Sequence, residues 1–367
     1  MIMGFLPKHL RPLLLGVCLT AATPAAALVV DLDARAAVIP GSNIEQACTA
    51  IPIDLDWDLS PVRGLNTTDE YGSDQSTQEF AWAMMIYSGH ALAGNVAAQA
   101  TLRETLMIWA ESAALYETAD IHDAHFALKR TLLPLIMAYA TVRDTYTANQ
   151  REIVDGWLDG LVTKIDRQFD GDVDLNNHRY LADSVIAAWG ALINDPLRLG
   201  LGEDRLRKAL LEQLRPDGSW PLEARRGARA LWYTRQSLAS LTSILGSLSA
   251  AGRNPLADRD MQQAYDLAVR YMLDGIRTPT LVLRYAAENY IPGPSDDYAT
   301  QDLSFLAVRP HGRHYLGFLQ LTRQLVSDPV IADRVQALID KIPADQFPLV
   351  DEFSGGNATC FWEPIRG

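Results

Sequence analysis

The chain has 367 residues, 48% of them hydrophobic, enough for a substantial core in one large unit or two. Its formal charge of −13 repels polyanions in bulk and argues against a nucleic-acid partner. An anionic ligand would need a local cationic site to capture it.

In chain order, Met1–Ala27 reads as a signal peptide. Lys8 and Arg11 form a basic start, Pro12–Thr20 is a short apolar run, and Ala25-Ala26-Ala27 offers a cleavage site before Leu28. The run is too short to span a bilayer, and no later stretch of about 18 apolar residues follows. The remaining chain, 28–367, is expected to be one exported, periplasmic, monomeric unit without a membrane anchor. With Cys18 in the leader, Cys48 and Cys360 remain. In an oxidising compartment they suggest one disulfide, worth on the order of 4 kcal/mol across so long a loop. Two buried free thiols are the other reading. Neither cysteine sits in a Cys-x-x-Cys pair, so no structural zinc is expected.

Leu28–Leu65 is mixed and Pro-containing and reads as an extended lead-in. Asn66–Asp74 is a polar, turn-rich loop, either an ordinary connection or a segment overhanging a cleft. From Gln75 helical periodicity takes over. It predicts helices over Thr77–Leu92, Ala98–Tyr116, Asp123–Val142, Ala148–Arg167, His178–Ile193, Asp204–Leu214, Leu222–Ala250, Asp258–Leu273, His314–Leu325 and Pro329–Ile342. Connections such as Asp144–Thr147 and Asp195–Gly202 are short. The chain is therefore all-α, built of helical hairpins, with Arg277–Asp302 breaking the pattern. Periodicity is compatible with an α/α toroid and equally with a large irregular bundle.

Two clusters could carry chemistry. Asn176-Asn177-His178-Arg179-Tyr180 sets amide donors, an imidazole and a phenol at a helix start, where the asparagines equally suit a cap. Glu223–Tyr233 follows the turn Pro216–Ser219 and contains Arg226 and Tyr233, seven residues apart. On a continuous helix that is two turns, roughly 10 Å of rise on one face. Arg226 offers a fork for a carboxylate, and a nearby guanidinium favours an ionised phenol. Each residue also has an ordinary reading, a solvated charge or a core aromatic. His122 with His125, and His311 with His314, have metal-ligand spacing but no matching third ligand, so neither a metal nor a cofactor is expected. Tryptophans such as Trp220 and Trp232 suit sugar stacking or core filling. A glycoside hydrolase would need a carboxylate pair across the scissile bond, for which Asp217 and Glu223 are the weak candidates.

These residues carry a resemblance. Glu223-Ala-Arg-Arg-Gly-Ala-Arg-Ala-Leu-Trp-Tyr233 resembles the Glu-Leu-Lys-Arg-Arg-Gln-Arg-Ala-Leu-Ala-Tyr motif of periplasmic alginate lyases, polysaccharide lyase family five. Asn176–Tyr180 is similar to that family's Asn-Asn-His-x-Tyr-Trp, and Tyr71–Asp74 to its lid motif. Gly355–Thr359 is similar to its C-terminal Gly-Gly-Asp-x-Thr.

The resemblance implies an incomplete (α/α) toroid with a tunnel-like cleft and metal-free β-elimination on poly-β-D-mannuronate. It implies Asn177, His178, Arg226 and Tyr233 as the catalytic set. Tyr71, Asn176, Arg179, Tyr180, Trp220 and Arg229 would contact the substrate. Three departures stand out: Leu181 replaces the family's Trp, Gly227 replaces an Arg, and Asp69 and Glu70 stand where a lid lysine is expected. They keep open a lyase for another β-1,4-uronan such as glucuronan. A catalytically silent exopolysaccharide-binding protein is the third reading, although binding alone does not need a phenol.

Overall fold

The computed structural model describes residues 30–66, 75–168, 176–286 and 300–363, with Met1, Glu288 and Tyr298. The expected leader beyond Met1 and most of the Asn66–Asp74 loop, Tyr71 included, lie outside the described residues. Two short helices, α1 (Leu32–Val38) and α2 (Asn43–Thr49), open the chain where an extended lead-in is expected. Asp31 and Ser42 cap them by accepting from backbone N–H groups.

Helical hairpins then follow one another: α3 (Gln75–Leu92) with α4 (Val96–Glu111), α5 (His122–Val142) with α6 (Ala148–Gln168), and α7 (Asn177–Ile193) with α8 (Pro196–Arg207). A single turn, α9 (Pro221–Ala224), precedes the last hairpin, α10 (Ala230–Ala250) with α11 (Arg259–Arg277). The first members, α3, α5, α7 and α10, pack on one another in sequence, and the second members back them from outside. This is an incomplete α/α toroid.

Composition explains which helix goes where. All of α7 but its last residue is buried, and α10 is buried along most of its length, with small Ser and Thr at most of its polar positions and Arg235 and Gln236 as the larger exceptions. A helix apolar nearly all round has to sit inside. On α11, Met261, Tyr265, Ala268, Val269 and Met272 recur at helical spacing and are buried, while the opposite face stays polar, so it covers α10 from outside. Among the described residues no helix is long and apolar enough to cross a membrane.

The C-terminal third returns to the toroid. After α12 (Leu283–Ala286), α13 (Leu319–Leu325) and α14 (Pro329–Ile339), β1 (Val350–Asp351) pairs antiparallel with β2 (Gly356–Asn357), and α15 (Ala358–Trp362) ends the described chain. Ser243 of α10 donates to the Phe353 carbonyl at 2.6 Å, pinning this hairpin to the inner helices.

Three helix predictions need correction. The helix expected over Leu222–Ala250 is interrupted: α9 ends at Ala224, Gly227 takes a φ of 58°, and α10 begins only at Ala230. A left-handed residue cannot sit inside an α-helix, and glycine takes that conformation without a Cβ clash. Asp195–Gly202, read as a connection, starts α8. Asp195 accepts from Leu197 and Arg198, and Pro196 fills the first turn. The helix expected from His314 begins only at Leu319.

Cys48 of α2 and Cys360 of α15 form a disulfide across a sequence separation of 312, which settles the two readings of these thiols. Neighbouring bonds reinforce it. Asn357 Nδ2 donates to the Ala47 carbonyl at 2.9 Å, and Arg35 donates to the carbonyls of Phe361 and Glu363. The double variant Cys48→Ser, Cys360→Ser is expected to lose about 4 kcal/mol of unfolding free energy. Urea titration against the oxidised chain checks this. A loss below about 1 kcal/mol would mean that Arg35 and Asn357 hold the terminus unaided.

Candidate active site

The start of α7 and the broken run before α10 meet around one carboxylate. Glu223 of α9 is fully buried. Its Oε1 accepts from the Asn177 backbone N–H at 2.6 Å and from Ser237 Oγ at 3.0 Å. It thereby ties the first turn of α7 to α10. Asn176 caps α7 by accepting from the His178 N–H at 3.0 Å. The Asn177 side chain turns to α10, where its Nδ2 donates to Gln236 Oε1 at 2.7 Å.

The chain break decides the geometry of Arg226 and Tyr233. They do not stand side by side along one helix. Arg226 lies in the turn before α10, and its guanidinium stacks on the Tyr233 ring, Cζ 3.6 Å from the centroid. Such a cation–π contact is worth about 0.5–2 kcal/mol when partly desolvated. The Arg226 charge also acts on Glu223 and on His178, and Glu223 in turn holds the Asn177 backbone N–H.

That group is enclosed. Asn177 is 2% exposed, Tyr233 3%, Arg226 6% and His178 8%. A cavity of about 310 Å³ adjoins it, lined by Phe126, Arg130, Arg229, Trp232, Gln236, Arg309, Arg313 and Tyr315 among others; the four residues themselves are not in its lining. Tyr233 falls three residues before Gln236 on α10, which puts the two on one helix face. Phe126 packs on the His178 ring at 4.7 Å, and His122, itself more than half exposed, packs on it at 4.3 Å. Asn177, through Gln236, and His178, through Phe126, thus touch residues of the cavity lining.

Burial sets the protonation states. It pushes His178 well below the ordinary histidine range, and the charges of Lys129, His122 and Arg226 push the same way. The ring is neutral at pH 7, whereas sequence alone suggests titration near neutrality. Burial also raises the Tyr233 phenol above its usual value, and this outweighs the pull of Arg226 and Arg229 toward phenolate. Glu223 is pushed up to about 7, again by burial, against Arg226, the Asn177 N–H and Ser237.

Several expected substrate contacts face the interior instead. Arg179 is fully buried, with Nε donating to Asp183 at 2.9 Å and Asp166 at 3.5 Å from Nη2. Tyr180 is buried and donates to Gln213 at 2.6 Å. Trp220 is buried and donates to the Ala209 carbonyl at 2.9 Å. Asn176 is a cap. All four build the scaffold. Arg229 does line the cavity. Leu181, at the family's Trp position, is wholly buried and offers no sugar platform. Asp217 and Glu223 form no facing pair: Asp217 bonds Ser219 and pairs with Arg284, while Glu223 points inward. His125 pairs with Asp120 at 2.9 Å, and His314 is buried. No group of three His, Cys, Asp or Glu converges among the described residues.

Sequence reading missed the cationic wall. Arg130 pairs with Glu352 and donates to Tyr315 OH at 3.1 Å; Arg313 Nε lies 3.5 Å from the same Glu352; Arg309 stacks on Trp232 at 5.5 Å. Arg130 and Glu352 are 222 residues apart, so no local pattern announces them.

A Glu223→Gln variant tests this electrostatic reading. A buried carboxylic acid whose folded value lies near 7 binds a proton that the unfolded chain has released by about pH 5. Wild-type stability should therefore fall as pH rises from about 4.5 through 7. The amide keeps an acceptor oxygen for Asn177 and Ser237. Thermal unfolding should show the variant about 1–3 kcal/mol more stable than wild type at pH 8, with the gap closing at pH 4. A gap that is unchanged with pH would mean that Glu223 is ionised throughout.

Comparison with known proteins places this arrangement. The alginate lyase family model matches residues 97–278. A polysaccharide lyase of Stenotrophomonas maltophilia (strain K279a) is 29% identical over 200 residues, covering 53% of this chain and 59% of that protein, so the match spans little more than half of that relative. Among solved structures, alginate lyase A1-III from Sphingomonas species A1 superposes with a TM-score of 0.70 at 20% identity, over 93% of this chain and 96% of that one. A tetrasaccharide complex of an A1-III variant gives 0.73, also at 20% identity, over 94% and 97%. An alginate lyase from Bacteroides ovatus gives 0.55 at 11% identity, over 92% and 99%. At these identities the structural likeness is one of fold. With the motifs around His178 and Tyr233, the family model makes the central helices of this chain similar to the alginate lyase family.

Proposed function

We propose that the chain is an exported polysaccharide lyase that cleaves a β-1,4-linked uronate polymer, polymannuronate (alginate), by β-elimination. The observation that carries the proposal is the Arg226 guanidinium stacked on Tyr233, linked through Glu223 to the start of α7, near an arginine-lined cavity in an acidic protein. A hydrolase would need opposed carboxylates, and Glu223 and Asp217 are committed elsewhere.

The chemistry has three parts. Neutralising the C5 carboxylate stabilises the charge that spreads into it as the C5 proton leaves; Arg226 and Asn177 take that role. The Tyr233 phenolate removes the proton, the C4=C5 double bond forms, and the C4–O4 bond breaks. The phenol then returns its proton to O4, which syn geometry allows because both atoms lie on one face. A neutral His178 donates or accepts a hydrogen bond without adding charge, and it is the base of choice where the sugar is the C5 epimer and the elimination is anti. The Met1–Ala27 leader directs the chain to the periplasm, where such a polymer is met.

Purified protein with polymannuronate should give a rising ultraviolet absorbance from the unsaturated product. Tyr233→Phe is expected to abolish it and EDTA to leave it intact. Arg226→Lys should lower kcat/KM by about 10²-fold or more, since one transition-state donor is commonly worth that much. Because Tyr233 acts ionised and its phenol is raised, kcat/KM should climb with pH into the alkaline range. Cleavage of glucuronan alone would move the substrate assignment. Binding of any uronan without cleavage would favour a silent binding protein.

A further inference from the structure

Behind the cavity wall, two residues beyond Tyr233 on α10, sits Arg235. It is fully buried, and among the described residues none of its three side-chain nitrogens has a hydrogen-bond partner. Its surroundings are aromatic. Cζ lies 4.5 Å from the Tyr315 centroid, 4.8 Å from Phe353 and 5.6 Å from Trp232. Tyr315 and Trp232 line the cavity and meet edge to face at 5.8 Å.

The ionisable groups acting on Arg235 are Asp351, Glu352, Arg130 and the Tyr315 phenol. Glu352 is already shared by Arg130 and Arg313. Asp351 accepts from the Phe353 N–H at 3.0 Å and is itself pushed up to about 7 by burial. Arg235 therefore has no counter-ion of its own. Burial lowers it to about 10, which still leaves a cation at neutral pH. Burying a cation this way is costly, and an apolar side chain of similar volume would fill the space without that cost. The fold gains no hydrogen bond from it. The gain has to lie in what the charge does for the cavity.

We propose that Arg235 is a positioning residue for the anionic substrate. It clamps the inner faces of Tyr315 and Trp232, which form the cavity wall, and its uncompensated charge raises the positive potential where a sugar carboxylate docks. It acts through those rings and does not touch the sugar. The proposal rests on the reading that this cavity takes an acidic sugar chain.

Kinetics on polymannuronate test it with Arg235→Met and Arg235→Lys. Salt is varied from about 0.01 to about 0.15 M, over which the Debye length shrinks from about 30 to about 8 Å. Arg235→Met should raise KM about tenfold at low salt, leave kcat within about twofold, and flatten the dependence of KM on salt. Arg235→Lys should recover most of that salt dependence, because it keeps the charge. An Arg235→Met enzyme with wild-type KM and salt dependence overturns the proposal, as do Met and Lys variants that behave alike. Should the Met variant fail to fold, Tyr315→Leu probes the clamp from the cavity side: a raised KM is expected, and an unchanged one overturns the clamp. If the wild type shows no lyase activity, the functional reading fails by itself. Calorimetric binding of polymannuronate to wild type and variants then decides the role of Arg235: weaker binding by the Met variant supports it, and equal binding, or none to wild type, overturns it.

Discussion

The site depends on a carboxylate that reaches no solvent. Glu223 receives the Asn177 backbone N–H and the Ser237 hydroxyl, and so fixes the angle at which α7 enters against α10. α7 is buried almost throughout, and Tyr180 on Gln213 and Trp189 on Asp159 tie it to other neighbours, but the Glu223 bonds are the ones that join its first turn to α9 and α10. The two directional bonds supply the register. They leave the Asn177 side chain aimed at Gln236 and His178 against Phe126. Without them the amide and the imidazole would have no reason to point at the same wall.

A second polar centre orders the arginines of the cavity lining. Glu352, in the segment between β1 and β2, is shared by Arg130 and Arg313, and the guanidinium of Arg130 reaches on to Tyr315. The pairing holds Glu352 at about 2, so it is ionised throughout the physiological range despite burial. One carboxylate against two guanidinium groups leaves net positive charge in the wall. A chain with a formal charge of −13 thus presents a local cationic surface, which reconciles its acidic composition with the proposed acidic ligand.

The termini are part of this arrangement. The Cys48–Cys360 disulfide, with Asn357 on Ala47 and Arg35 on the last turn, ties the C-terminal hairpin to the first helices. That hairpin carries Glu352 and Phe353, so the covalent tie is continuous with the residues that order Arg130, Arg313 and Arg235. A constraint on chain entropy and the layout of a binding wall are here served by the same dozen residues.

By itself the sequence determined the helices and the identity of the expected reacting groups. A 3.6-residue period is a local property, and it located α3, α5 and α7 to within a few residues, while it started α10 at Leu222 instead of Ala230. The paired motifs around His178 and Tyr233 were likewise legible as strings. Local caps were legible too, although Asp195 and Pro196 show that one was passed over as a loop. Tertiary structure alone decided how those groups face each other. Gly227 breaks the expected helix, so Arg226 lies on the ring of Tyr233 and not beside it. Burial decided that His178 is neutral and that Arg179, Tyr180 and Trp220 are scaffold. The cationic wall draws Arg130, Trp232, Arg309 and Arg313 from distant parts of the chain, and desolvation and long-range pairing leave no periodic trace in a sequence.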